Sequence, residues 1–291
     1  MATLFSSKRP KLNGKITTAA ISHGDQVRKY RVYVPPALKE NAALIVALHG
    51  SKTNGQTLRK YTGYELDELA DHLGYLVIYP DGYKNTWNDC RADSPFPAHK
   101  ANIDDVGFIK KLVDTAHRQY RIDTSKVFAF GFSNGGGMAL RCAMEDNFIN
   151  TACVVSANLP TLETCSCPVH GHPVKVMLVS GTKDPIIPYQ GGMVTFLGKK
   201  IGTVMSAYET AKVLADRCGA ALVQKNEQIA DNVECLSWLK DSSPVVKLYT
   251  IHEGGHTIPQ SRFRFFSLIT GKTVKNFDTP KAAIEFFGLL N

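Results

Sequence analysis

The chain has 291 residues, with 34 Lys and Arg against 26 Asp and Glu, a formal net charge of +8. Its 44% apolar and 21% charged content excludes global disorder, a collagen-like repeat and a low-complexity fibre. No apolar run approaches the roughly 18 to 20 residues that span a bilayer, and the positive charge is diffuse, densest only at Ser7-Lys8-Arg9-Pro10-Lys11, which excludes a nucleic-acid-binding stripe or arm.

The residues from Met1 to Pro10 lack the apolar core of a secretory signal. The expectation is a cytosolic protein as the chain stands, or a secreted or periplasmic one whose signal has been removed. Val27–Val34 reads as a half-polar strand and Ala43–Leu48 as a continuous apolar one ending at His49-Gly50; continuous apolar strands suit a parallel sheet covered on both faces. Leu66, Leu69, Ala70 and Leu73 predict one helix over Leu58–Leu73. Tyr75–Pro80 is the next strand. Residues 82 to 101 are predicted to be an excursion over the sheet edge. Asn102 is expected to cap a helix with Asp104 and Asp105 in its first turn, where the helix dipole favours them. A buried strand at Lys126–Phe132 and a small-residue helix at Asn134–Glu145 follow. Ala152–Ala157, Lys175–Ser180 and Val245–His252 are further strands, with a second excursion at residues 158 to 173. Gly202–Cys218 and Pro280–Leu290 are the remaining helices.

Strand and helix alternate along the whole length, without a repeat or long linker. That pattern predicts one domain over residues 1–291: an α/β fold with an open, mostly parallel central sheet and helices on both faces. In such sheets function gathers at the carboxyl ends of the strands. The seven cysteines are odd in number, so a monomer keeps at least one free thiol. Cys218 and Cys235, which bracket a short loop-and-strand stretch able to close as a hairpin, are the pair to watch for a disulfide, although no framework can be read.

The residues that follow the apolar runs carry chemistry. Gly131-Phe132-Ser133-Asn134-Gly135 lies between a buried strand and a helix, the strand–turn–helix context of a nucleophile elbow. A sharp turn there lifts the Ser133 hydroxyl over the sheet edge, and the glycines remove side chains that would collide. A serine needs a base. His256, in the loop Glu253-Gly254-Gly255-His256-Thr257, is better placed than His252, which still belongs to the strand. The imidazole needs a carboxylate, and Asp184 follows the strand ending at Ser180. The oxyanion requires two backbone N–H groups. One is expected from Asn134, directly after the nucleophile, and the other from Ser51, in the loop after an early strand. His49 is expected to pack and anchor that loop.

Together His49-Gly50, the Ser133 motif with Gly136, Gly181-Thr182-Lys183-Asp184-Pro185 with Ile187-Pro188-Tyr189, and Gly254-Gly255-His256 resemble the polyhydroxybutyrate depolymerase-like esterases. These are α/β-hydrolases similar to the feruloyl and acetyl xylan esterases of carbohydrate esterase family 1. Asp104-Asp105-Val106-Gly107-Phe108 resembles an acidic segment of the same family, and the likeness spans about residues 27 to 260. It implies a serine carboxylic-ester hydrolase working through an acyl-enzyme on short-chain or aromatic esters, such as hydroxybutyrate oligomers, feruloyl esters or acetyl esters. It implies the catalytic set Ser133, Asp184 and His256, and no cofactor. The same set of residues also serves serine peptidases and acyltransferases, and a non-catalytic binding protein on this fold is the alternative outside enzymes. No polymer-binding domain is visible, so the expected substrates are soluble or oligomeric esters.

Two clusters stay open. Cys165-Ser166-Cys167-Pro168-Val169-His170-Gly171-His172 has the residue types of a metal site but not the usual spacing. It is read as a loop holding a disulfide partner or free thiols, with no metal expected. Trp87 is the candidate substrate contact, stacking on an aromatic acyl group, with core packing as the other reading.

Overall fold

A computed structural model describes residues 9–145, 148–168, 170–196, 198–219 and 222–290. The first part of the basic N-terminal stretch, and Val169 of the Cys/His cluster, lie outside the described residues.

Its centre is a sheet whose ten strands, in chain order, are β1 (Lys15–His23), β2 (Gln26–Val34), β3 (Leu44–Leu48), β4 (Leu76–Pro80), β5 (Val127–Phe132), β6 (Thr151–Val155), β7 (Lys175–Gly181), β10 (Val223–Ala230), β11 (Val233–Lys240) and β12 (Ser243–Ile251). A separate hairpin joins β8 (Gly192–Phe196) to β9 (Lys199–Val204). In space the sheet runs β1-β2-β4-β3-β5-β6-β7-β12-β11-β10. The pairs from β4 to β12 are parallel, and both margins are antiparallel. The expected mostly parallel sheet is thus present.

Period-2 alternation explains how both faces are covered. Leu44, Val46 and Leu48 point one way, into a core shared with α4 (Asp105–Tyr120), α5 (Asn134–Glu145) and α6 (Ala207–Asp216). Ile45 and Ala47 point the other way, toward α1 (Gly55–Tyr61), α2 (Glu65–Leu73) and α8 (Thr279–Phe286). Each fully buried branched side chain contributes about 1.5–3 kcal/mol, so these short strands hold the two layers together. Two short helices, α3 (Pro97–Lys100) and α7 (Ser267–Thr270), lie near the strand ends.

Several expectations need correction. The helix expected over Leu58–Leu73 is two helices, because Gly63 and Tyr64 both adopt φ 62°, which no α-helix continues through. Asn102 is itself left-handed, at φ 44°, and the cap is Asp104, whose side chain accepts the Gly107 N–H at 2.8 Å. The helix expected from Gly202 starts later: residues up to Val204 belong to β9, and a capping box between Ser206 and Glu209 opens α6. Strands β1, β8, β9 and β11 were not expected, and β10 only as a strand of unstated bounds between Cys218 and Cys235. The first of them had a visible signal, a Gly24-Asp25 turn between two alternating runs.

The disulfide is not between Cys218 and Cys235. Both are buried and free. The Cys218 thiol faces the Val174 and Leu214 carbonyls, and the Cys235 thiol faces Ser237 on its own strand. Instead Cys90 joins Cys167, tying the first excursion to the second. This removes Cys167 from the Cys/His cluster, while His172 donates to the Ala143 carbonyl at 2.8 Å. Among the described residues no helix is long and apolar enough to cross a membrane.

Candidate active site

Strand β5 ends at Phe132 and α5 begins at Asn134, so Ser133 alone makes the turn, at φ 55°. Serine rarely adopts this left-handed conformation. Neighbours hold it there: the Ser133 N–H donates to the Val155 carbonyl at 2.9 Å, and the Ser133 carbonyl accepts from Gly137 at 3.0 Å. The turn is too tight for side chains on either flank. A Cβ on Gly131 would lie 2.2 Å from the Gly135 carbonyl oxygen, and one on Gly135 would lie 2.1 Å from that of Leu48.

His256 follows β12 in a turn whose backbone is fixed to α7, its N–H donating to the Thr270 carbonyl at 2.6 Å. Its Nδ1 lies 2.8 Å from Asp184 Oδ2, and its Nε2 lies 2.9 Å from Ser133 Oγ. A carboxylate only accepts, so Nδ1 carries the proton and Nε2 offers its lone pair to the serine hydroxyl. Asp184 is held in turn. Its Oδ1 accepts the Ile186 and Ile187 N–H groups, each at 2.8 Å. The His256 and Asp184 side chains are only 6% and 2% exposed, so water competes little for these bonds. His252 points elsewhere, 3.1 Å from Glu234 on the surface.

Ser51 lies in the loop after β3, and both Ser51 and Asn134 line a cavity that also contains Ser133 and His256. The loop is braced by Lys52 donating to the Asn85 carbonyl at 2.8 Å and Thr53 to the Gly50 carbonyl at 3.3 Å. His49 is a bracket behind it. Its Nε2 accepts the Gly82 N–H at 2.9 Å, so its Nδ1 must donate to the Gly50 carbonyl at 2.8 Å. Burial pushes its pKa down to about 4 and keeps this ring neutral, as the two opposed bonds require.

Trp87 does not reach the cavity, which corrects its reading as a substrate contact. It is fully buried, its ring 5.0 Å from that of His49, and its indole N–H donates to the His49 carbonyl at 2.8 Å. The ring is packed in the main apolar core, and the His49 carbonyl satisfies its indole N–H there. The excursion around Trp87 is anchored by Asp105, which accepts from Arg28 at 2.7 Å and from the Asn88 N–H at 2.8 Å.

The cavity measures about 360 Å³ and has two apolar walls. Phe96, Ile186 and Ile187 form one with Val194, Phe196, Ile201 and Val204 of the β8–β9 hairpin. Tyr61, Phe132, Phe263, Phe265, Phe266 and Ile269 form the other. In that second wall the Tyr61 and Phe265 rings are 4.5 Å apart, and Phe132 lies 5.1 Å from the His256 ring. Sequence reasoning missed both walls. The aromatic run Phe263-Arg264-Phe265-Phe266 was the one signal available for the second.

A family model described as esterase PHB depolymerase matches residues 28–186. The chain is 28% identical over 300 aligned residues to the esterase-designated NocK of Nocardia uniformis subsp. tsuyamanensis, covering 96% of this chain and 84% of that one. It is 36% identical over 118 residues to feruloyl esterase B of Neurospora crassa, where the match spans 40% of this chain and 39% of the relative. Among solved structures, an acetyl xylan esterase from Aspergillus awamori superposes with a TM-score of 0.62 at 18% identity, over 94% of this chain and 99% of that one. That likeness shows the fold, the α/β-hydrolase fold.

Proposed function

Because the chain belongs to the esterase PHB depolymerase family and is a carboxylic-ester hydrolase, we propose that Ser133, His256 and Asp184 carry the reaction. In this reading residues 1–291 form a single catalytic domain. Ser133 Oγ attacks the ester carbonyl carbon while His256 Nε2 takes its proton, and Asp184 holds the imidazole and stabilises its charged form. The carbonyl oxygen becomes an alkoxide between the N–H groups of Ser51 and Asn134. Collapse breaks the ester C–O bond, and His256 returns the proton to the leaving alcohol. Water, activated by the same imidazole, then attacks the acyl-serine and releases the acid. The observation that carries this reading is the continuous relay of 2.8 and 2.9 Å from Asp184 through His256 to Ser133.

The cavity walls suggest the substrate. The leaving oxygen must take its proton from His256, so the alcohol lies on the imidazole's side. The wall formed by residues 263–270 is tied to His256 through Thr270 and serves the alcohol. The hairpin wall, with Phe96, Ile186 and Ile187, then takes the acyl group. Both walls are apolar, which favours short-chain or aromatic acyl esters with apolar alcohols. Feruloyl and acetyl esters, after which two of the similar proteins are named, belong in the first substrate panel beside hydroxybutyrate oligomers. The decisive comparison is p-nitrophenyl acetate hydrolysis by wild type and Ser133→Ala. A loss of roughly 10³- to 10⁶-fold in kcat is expected; turnover that survives the substitution rejects the serine mechanism.

A further inference from the structure

We infer that Asp89 is a positioning residue for the oxyanion site, acting through the side chain of Asn134. The inference rests on Asn134 being an oxyanion donor, as proposed above. That donor is a backbone N–H, and its direction depends on a turn that serine adopts only under constraint. Strained backbone of this kind persists where the surroundings over-determine it. Here the constraint arrives through the Asn134 side chain. Its Oδ1 accepts the Trp87 N–H at 2.8 Å, and its Nδ2 donates to the Trp87 carbonyl at 3.1 Å and to Asp89 Oδ2 at 2.7 Å. Asn134 and Asp89 are both buried, and both line the cavity beside Ser133.

Asp89 is itself fixed from several directions. Arg91 donates its backbone N–H to Oδ1 at 3.2 Å, and its Nε reaches both carboxylate oxygens at 3.1 Å. The guanidinium offsets a negative charge that would otherwise oppose the developing alkoxide in the same cavity. The next residue, Cys90, is disulfide-bonded to Cys167, and its carbonyl accepts the Ser166 N–H at 2.8 Å. Arg141 donates to the Asn88 carbonyl at 2.8 Å from the far side. Asp89 is thus the point where a cross-linked loop grips the first residue of α5. A carboxylate at this place, bonded to a side chain whose own backbone N–H faces the reaction, sets the donor's aim without touching substrate.

The test is a double-mutant cycle on the full chain, with p-nitrophenyl butyrate as substrate and butylboronic acid as a tetrahedral-adduct probe. Both variants, Asp89→Ala and Asn134→Ala, keep the Asn134 backbone N–H; Asp89→Ala removes the one bond from Asp89 to the Asn134 side chain, and Asn134→Ala removes that bond together with the two to Trp87. Each is expected to lower kcat about 10- to 100-fold, less than or equal to loss of a whole oxyanion donor, with KM within about threefold and boronate affinity weakened in parallel with kcat/KM. Asn134→Ala, which also loses the bonds to Trp87, should be the worse single variant; the double variant should be within about threefold of it, because the Asp89 contribution is already lost with the Asn134 side chain. Losses that multiply, kcat within threefold of wild type, or unchanged boronate affinity overturn the inference. If Asp89→Ala does not fold, Asp89→Leu, close in volume and without an acceptor for Asn134 Nδ2, is read by the same kcat and boronate criteria. Labelling of Ser133 by a fluorophosphonate in the wild type separates the two failures. No labelling means that the serine mechanism itself is wrong; labelling with an intact Asp89→Ala kcat means that only the role of Asp89 is wrong.

Discussion

Around Ser133 the backbone has no spare room, whereas the turn at the tip of the β8–β9 hairpin has plenty. A Cβ on Gly135 would meet the Leu48 carbonyl oxygen at 2.1 Å, while one on Gly198, at the turn of the β8–β9 hairpin, would meet nothing within 4 Å. The elbow is wedged between the two main layers of the core. The hairpin packs through a small cluster of its own, with Phe96, Ile186 and Ile187. The proposed nucleophile therefore sits on backbone with no room for a side chain at its flanks, while the hairpin that supplies one cavity wall has such room at its turn. That division suits an enzyme whose chemistry is fixed and whose pocket must fit a particular ester.

The largest effect should come from exchanging these two glycines. Gly135→Ala forces the helix away from the strand, and a displacement near 1 Å at a reacting group costs about 10²-fold or more in rate. Gly198→Ala meets only the cost of a positive φ, about 1 kcal/mol, and should leave kcat within about twofold. Steady-state kinetics with p-nitrophenyl acetate, beside thermal melts, checks both. Equal kinetic losses in the two variants would remove the contrast between elbow and hairpin.

The same contrast explains what the sequence made legible. Tight backbone leaves a trace in residue types: glycines on both sides of Ser133, a Gly-Gly before His256, an Asp-Pro after a buried strand. Those short motifs singled out three residues that lie 2.8 and 2.9 Å from one another in turn. Continuous apolar runs likewise marked the central strands. The walls left no such trace, because they are assembled from segments as distant as Tyr61, Phe96, Phe196 and Phe266, each an ordinary apolar residue in its own neighbourhood. The bounds of the marginal strand β10 were not legible because it is almost wholly exposed and polar, and β11 was missed although it alternates between buried and half-buried residues. Trp87 was misjudged for a related reason: its place in the core depends on residues distant in sequence, among them His49, thirty-eight residues earlier, whose carbonyl accepts the indole N–H.

A second prediction sharpens the contrast through pH. His49 braces the rigid side, and burial pushes its pKa from 6.5 down to about 4. Between those values the unfolded chain binds a proton that the folded one does not, so stability falls as the pH drops from 6.5 toward 4. The full difference is about 3 kcal/mol. Above pH 6.5 both states leave the ring neutral and the effect vanishes. Urea midpoints of wild type and His49→Gln, measured at pH 7 and pH 4.5, should show a smaller acid loss in the variant, although it is less stable at pH 7. An identical acid loss in the two proteins would assign the sensitivity to other groups.

The smallest effect tests the flexible side, where the two walls should be separable. Phe196 lines the cavity from the hairpin, with the Lys52 ammonium 4.9 Å from its ring centroid, and Phe266 lines it from the other aromatic group, 58% exposed. Neither ring is deep in the main core, so truncation should alter the pocket more than the fold. Fully burying a Phe side chain is worth about 1.5–3 kcal/mol, so about tenfold in kcat/KM is the expectation for a ring that is only partly covered. Phe196→Ala should lose that factor along a series of lengthening p-nitrophenyl acyl esters while acetate stays within about twofold. Phe266→Ala should instead lose it along a series of acetate esters of increasingly large alcohols. The leaving oxygen must be within reach of His256 Nε2, and Phe266 lies on the segment whose Thr270 carbonyl holds the His256 backbone at 2.6 Å; this is why the two series should respond to different walls. If both variants shift the same series, the acyl and alcohol portions share one wall, and the hairpin does not select the acyl group.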